Sequence, residues 1–446
     1  SDFPNQVNNV LCFPYLFRGA LDVGATQIND AMKLATVKAI AALAREPSSD
    51  VAARAYGGQT RLFGPDFLIP TPFDPRLILR LAPAVARAAM ESGVARRPIA
   101  DFDAYNDRLN RFVFRSGLIM KPLFTQARTA AQRVIYAEGE DERVLRAAQV
   151  AIEEGLAQPI LVGRPDVVRT RLDRYGLSIA PGKDFELINP QEDPRYRDYV
   201  DTYLHRTWRR GVTPDRARTV VRTSSTVIAA LAVERGEADA MICGLEGRFD
   251  AHLAHIHDVI GVAPGVRNFS ALSLVIVSNG AYFLADTHVT TDPTADEIAD
   301  MAILSAQQVD RFGMTPKIAL LSHSAFGSRD TPSAQKMRDA LALIQQKAPE
   351  LEVEGEMHGD AALDEAYRKR VYPLSALTGE ANMLIMPNLD AANIVFHLLK
   401  TVSNALPVGP ILLGAAKPAH ILTPSVTARG VVNMTAIAAV EAQSCG

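Results

Sequence analysis

From Val134 onward the chain alternates short apolar runs with longer segments of helical period, and that beat restricts the fold more than any other feature of the sequence. Val134-Ile135-Tyr136, Ile160-Leu161-Val162, Ala240 to Gly244, Ser273 to Val277, Ile318 to Leu321, Met383 to Met386 and Pro410 to Leu413 are each bounded by Gly or polar punctuation. Apolar runs this short, set between helical segments, read as buried strands, and strands joined by helices build α/β layers with mostly parallel sheets. The expected fold class is α/β. Between the strands, Val144, Ala147, Ala148 and Ala151 mark one helix face, and Ile298, Met301, Ala302, Ser305 and Val309 another. The second of these helices opens on Thr294 and Glu297, which have capping-box spacing.

Upstream of Val134 the pattern differs. A short strand is predicted over Val10 to Phe13, then a helix capped by Asn29 or Asp30 with Leu34, Val37, Ala41 and Ala44 at helical spacing. A second helix is predicted from Asp74-Pro75 to Gly93, with Pro83 kinking or breaking it. Residues 46–73 are rich in Gly, Pro and polar side chains and read as loop or interface, and the charged, aromatic segment 96–133 reads as a connector. The chain has neither an initiator Met nor a secretory start, so it is expected to begin inside a folded unit.

Composition then excludes several classes. At 446 residues, roughly three units of about 150 residues are expected. With 47 basic and 50 acidic side chains the net charge is -3, so no overall basic field attracts nucleic acid or an anionic membrane. The longest apolar stretch, 271–285, is cut by Ser278-Asn279-Gly280 and falls short of a membrane span. Cys12, Cys243 and Cys445 lie far apart without a CxxC pair, which points to a reducing, cytoplasmic setting and no zinc framework.

Four clusters carry candidate chemistry. Gly409 to Lys417 sets a lysine past a strand and two glycines, which suits a phosphate at a strand end or an ordinary turn with a solvated lysine; it is not a P-loop. Ser322-His323-Ser324 follows another strand without a GxSxG elbow, so it reads as a hydroxyl-lined turn for a polar ligand or a loop bonding its own backbone. Arg206, Arg209, Arg210, Arg216, Arg218 and Arg222 crowd one stretch; a solvated helix face is the default, and Arg222 stands out because Thr223-Ser224-Ser225-Thr226 follows it. His252, His255 and His257 do not share one helix face, which argues against a metal.

Ser1 to Leu11, Phe13-Pro14, Arg18 to Asp22 and Ala25-Thr26 with Ile28-Asn29 resemble the late nucleotide-domain segment of bacterial malic enzymes. The resemblance implies that an Asn of the Asn8-Asn9 pair contacts malate, and that the metal ligands and dinucleotide turn lie upstream. Residues 130–446 resemble phosphotransacetylases, through Arg222-Thr223, Gly236 to Gly244, Asp292 to Ala295, Ala319 to Ser322, Gly355 to Met357, Asp360 to Ala362, Asn393-Ile394 and Gly409 to Pro418. The two together are similar to hybrid NADP-dependent malic enzymes. They imply the end of a Rossmann-like domain over 1–100, a connector over 101–129 and a two-lobed unit with an interlobe cleft over 130–446. Lobe one is then about 130–267 and 408–446, and lobe two about 268–407.

On this resemblance Arg222, Thr223, Ser322, Ser324, Asn393, Lys417 and Thr423 are expected to bind acetyl-CoA. NADP and a divalent metal, Mg or Mn, would serve the parent enzyme, and the chain would form a homodimer or a higher oligomer through the phosphotransacetylase-like part. One departure matters. Where reactive relatives carry Arg within Asp-Leu-Ser-Arg-Gly, and an Asp shortly before Ile-Val-Asn, this chain has Pro424 and Gly430. A thiol of pKa about 8.5 needs a base to attack at neutral pH, and losing a general base costs roughly 10²- to 10⁴-fold. The expectation is a catalytically impaired domain in which acetyl-CoA acts as an allosteric inhibitor of malate oxidation to pyruvate. The alternatives are an active phosphate acetyltransferase, with His420 or Asp390 replacing the lost acid, and a dimerisation scaffold without a ligand.

Overall fold

Asn29 accepts from the Met32 N–H at 3.1 Å and so caps the helix Asp30–Arg45 (α2), which follows Phe13–Asp22 (α1) and precedes Arg76–Glu91 (α3). These helices bury Val23, Met32, Val85 and Ala89 among themselves. Gly19 is required where α1 meets α3, since a Cβ there would lie 2.5 Å from the Ala82 carbonyl. The computed structural model describes residues 11–45, 64, 68–70, 76–277, 280–403 and 405–444, with the side chains of 107 and 110–118 left aside. By its contacts the chain divides into two compact units, Ser1–Leu118 and Ile119–Gly446.

Three expectations for the first unit are corrected. Phe13 begins a helix, so the strand over Val10 to Phe13 is not formed at its described end. Helix α3 runs unbroken through Pro83, which is itself buried with eight other residues of the helix; packing on both sides offsets the missing hydrogen bond. On α2 the buried residues are Met32, Thr36, Leu43 and Ala44, whereas Leu34 and Val37 are exposed. No strand is found among the described residues of this unit. The segment read as a connector is largely one helix, Phe102–Ala127 (α4).

The second unit contains two sheets. In the first, Gln132–Tyr136 (β1), Ala157–Val162 (β2), Glu186–Ile188 (β3), Ala240–Cys243 (β4) and Ala419–Ile421 (β11) are all parallel, in the order β11-β4-β1-β2-β3. Alternate side chains of β1 go to opposite faces, as the strand period requires. Val134 and Tyr136 pack towards Glu142–Glu153 (α5) and Ala428–Ser444 (α16). Ile135 and Ala137 pack towards Tyr196–Thr207 (α7), Pro214–Thr223 (α8) and Ser225–Glu234 (α9). Helix α9 is apolar all round and eight of its residues are buried, as a central helix must be. Pro165–Tyr175 (α6) and Phe249–Val259 (α10) complete this half.

The second sheet has the order β10-β5-β6-β9-β7-β8, built from Ser270–Ile276 (β5), Ala281–Ala285 (β6), Lys317–Leu321 (β7), Glu352–Met357 (β8), Met383–Ile385 (β9) and Leu406–Leu413 (β10). Strands β6, β9, β7 and β8 are parallel, and β5 runs antiparallel to both β6 and β10. Its helices are Ala295–Arg311 (α11), Pro332–Lys347 (α12), Gly359–Leu363 (α13), Glu365–Val371 (α14) and Leu389–Val402 (α15). The chain returns to the first sheet only after β10, so residues 408–413, expected in lobe one, form an edge strand of the other sheet.

Candidate functional site

In open α/β sheets ligands bind beyond the carboxyl ends of the strands, at the point where the connections change direction. In the first sheet that point lies between β1, which leads on to β2, and β4 on its other side. Glu138 lies two residues past β1, and its Oε1 accepts from the Gly244 N–H, just past β4, at 2.9 Å. Its Oε2 is buried without a hydrogen-bond partner among the described residues. Burial raises this carboxyl to about 7, against the opposing pull of the Gly244 N–H.

Arg143 ties the neighbouring loops together. It forms a bidentate pair with Asp141 and donates to the carbonyls of Pro424 at 2.7 Å, Val426 at 3.2 Å and Leu245 at 3.3 Å. Nearby, the His252 Nε2 lies 2.6 Å from the Glu246 carbonyl and must donate to it, so Nδ1 accepts from the Thr226 hydroxyl at 2.8 Å. This imidazole is committed to joining the start of α9 to the loop after β4. No group of three His, Cys, Asp or Glu placed to hold a metal is found among the described residues.

The second sheet presents its own carboxyl edge. Asp286, after β6, accepts from the backbone N–H groups of Ala271, His288, Val289 and Thr290, which fixes the loop. His288 is pushed down to about 4 by burial and by the nearby His397. Its ring lies 5.1 Å from Phe249 of α10, an aromatic contact between the two halves of this unit.

Of the residues predicted from the sequence, Arg222 and Thr223 end α8 just before α9, and Thr423 follows β11, all at the carboxyl edge of the first sheet. Arg222 is exposed and stacks over Tyr196, 4.8 Å from the ring centre. Ser322 follows β7, and the Asn393 amide donates to the Thr287 carbonyl at 3.2 Å, at the carboxyl edge of the second sheet. Asn8 and Asn9 lie outside the described residues.

Two expected contacts are withdrawn. Ser324 is fully buried: its hydroxyl donates to Glu356 at 2.6 Å and accepts from the Arg329 N–H, so it builds the loop instead of facing a ligand. Lys417 precedes β11 and donates to the carbonyls of Val233 and Glu234 at the end of α9. Arg222 stands at the opposite end of that helix, whose ten residues span about 15 Å. The lysine therefore satisfies a helix C-terminus and does not join Arg222. His420 is buried, and its Nδ1 accepts from the Leu412 N–H, so it does not replace a base in the cleft. Asp390 is exposed in the first turn of α15.

The sequence reading missed Glu138, Arg143 and His252 as organisers of this edge. The signal for Glu138 was present: an acid two residues past a buried strand, at the head of Glu138-Gly139-Glu140-Asp141-Glu142.

Residues 118–439 match the family described as Phosphate acetyl/butaryl transferase. The chain belongs to that family. A phosphate acetyltransferase of Corynebacterium glutamicum is 30% identical over 320 residues, which cover 72% of this chain and 96% of that protein. A phosphotransacetylase structure from Streptococcus pyogenes superposes with a TM-score of 0.69 at 29% identity, over 74% of this chain and 99% of that one. Almost the whole chain is also similar to larger proteins. The "NAD-dependent malic enzyme" of Rhizobium meliloti is 65% identical over 99% of this chain and 57% of its own length. The "NADP-dependent malic enzyme" of Escherichia coli is 54% identical over 100% of this chain and 59% of its own length. This member of the transferase family is thus consistent with the C-terminal part of a malic enzyme, and it spans less than three-fifths of those two relatives.

Proposed function

We propose that the chain is the regulatory and assembly part of a cytoplasmic malic enzyme, and that acetyl-CoA bound to its phosphotransacetylase-like unit inhibits oxidative decarboxylation of malate to pyruvate. Arg222, Thr223, Thr423, Ser322 and Asn393 form the proposed acetyl-CoA site. The observation that carries the regulatory reading is at Gly430. A Cβ there would lie 2.7 Å from the Val426 Cγ2, so an acid at this position, expected in reactive relatives, would have to displace that valine. Pro424 offers its carbonyl to Arg143 where a guanidinium is expected in those relatives. On this reading the site still binds its ligand while the reacting groups are replaced.

The parent reaction would use NADP and a divalent metal, Mg or Mn, with Asn8 or Asn9 touching malate. The 65%-identical relative bears the name of an NAD-dependent enzyme, so both nicotinamides belong in the assay. Assembly would be a homodimer, or a higher oligomer, through the phosphotransacetylase-like unit. The helix α15 supports this reading: Ile394, Leu398 and Val402 stand one turn apart and are 56%, 57% and 83% exposed, with Leu406 beyond them.

The deciding experiment follows malate-dependent reduction of NADP and of NAD by the full-length protein with and without saturating acetyl-CoA. Inhibition is expected, with a coupling of ~1 to 3 kcal/mol, and malate must weaken acetyl-CoA binding by the same factor. Unchanged turnover refutes the reading. One alternative is a surviving acetyltransferase with Glu138 as its candidate base: burial raises this carboxyl to about 7, and its buried Oε2 has no hydrogen-bond partner among the described residues. Sustained thioester formation from acetyl phosphate and coenzyme A would establish that alternative.

A further inference from the structure

At the amino edge of the first sheet, opposite the edge that Glu138, Arg143 and His252 organise, a cavity of about 130 Å³ opens between α11, the turn from Gly414 to Pro418 and the end of α16. One water needs only ~10 to 15 Å³ on the same measure, so the space admits a small molecule. Polar side chains gather there: Gln307, Gln308 and Arg311 from α11, Lys417 from the turn and Glu441 from α16. The floor is a buried relay. Glu441 accepts from Gln308 and lies 3.3 Å from the His420 Nε2, while the His420 Nδ1 takes the Leu412 N–H. That imidazole Nε2 is fully buried and makes no well-aligned hydrogen bond.

The charges leave an excess of one cation. Of the side chains that line the cavity, Arg311 and Lys417 are cationic and Glu441 alone is anionic; the Lys417 ammonium, held by the Val233 and Glu234 carbonyls, contributes charge and not a donor to the occupant. Among the described residues Arg311 meets the protein at Glu441 alone, at 3.5 Å, so most of its five N–H donors are left for another acceptor. A guanidinium flanked by two amides in a half-enclosed space suits a planar or tetrahedral oxyanion.

We propose that this cavity is a second ligand site, separate from the acetyl-CoA cleft, for a small dianion of the phosphate or short dicarboxylate type. Its walls come from α11 of the second-sheet half and from α16 and the β11 turn of the first, so an occupant bridges the two halves. The site does not depend on the acetyl-CoA reading.

Calorimetry on the full chain tests it, with inorganic phosphate and malate titrated separately. Saturable binding of at least one is expected, and whichever binds identifies the class. The affinity should fall tenfold or more in Arg311→Gln and hold steady in Arg222→Gln, which alters only the cleft. Because Arg311→Gln also removes one of the partners of Glu441, Gln307→Trp serves as a second variant. Gln307 is exposed on the rim, and the indole should block entry without touching the core. No saturable heat with either ion overturns the proposal, as does binding lost in Arg222→Gln yet retained in Arg311→Gln.

Discussion

Glu138 shows how much a single burial decides. Its carboxyl lies near 4.3 in an unfolded chain and is raised to about 7 in the fold. Between these values the folded form keeps a proton that the unfolded form has lost, so this group makes stability fall as pH rises from about 4.5 to about 7, and adds no further slope above. The full effect is of the order of 3 kcal/mol. Glu138→Gln keeps an acceptor for Gly244 and cannot ionise. Urea unfolding at pH 5 and pH 8 should show the variant gaining on the parent protein as pH rises; parallel pH profiles would disprove the assignment. Lys417 teaches the complementary lesson. A lysine after a strand and two glycines looks like an anion ligand in one dimension, yet its ammonium is spent on the carbonyls of Val233 and Glu234, which lie 184 and 183 positions away in the chain.

Local rules work well for whole elements, because capping and period act over a few residues. The capping box read from Thr294 and Glu297 is formed in both directions: the Glu297 N–H donates to the Thr294 hydroxyl at 3.3 Å, and Glu297 Oε2 accepts from the Thr294 N–H at 2.8 Å. Thr294→Ala should cost about 1 kcal/mol, visible as a lower urea midpoint with an unchanged slope. If stability does not change, the box contributes nothing to α11. The same rules misplace faces where a helix has two apolar sides. On α2 both Leu34 and Met32 fit a helical stripe, and the side that is buried depends on where α1 and α3 lie. Pro83 likewise looks like a breaker until both flanks of α3 are covered.

At the scale of the molecule, the exposed stripe Ile394, Leu398, Val402 and Leu406 is the feature that asks for a second copy. Leu398→Glu puts a charge at its centre and should convert the proposed dimer to monomer in sedimentation at micromolar protein without lowering the melting temperature of the monomer. A parent protein that sediments as a monomer would remove the assembly proposal. The sequence alone determined the α/β class, seven of the eleven strands described and the capped starts of α2 and α11, since each depends on period or capping within one short window, and its motifs pointed to the family; β3, β6, β8 and β11 escaped it. Tertiary structure alone decided that Leu406–Leu413 closes the second sheet, that Ser324 and Lys417 belong to the scaffold, and that Glu138, Arg143 and His252 organise the carboxyl edge. Those outcomes rest on hydrogen bonds and packing between segments far apart in the chain, and the spacing of residues along a sequence carries no record of which distant backbone will meet them.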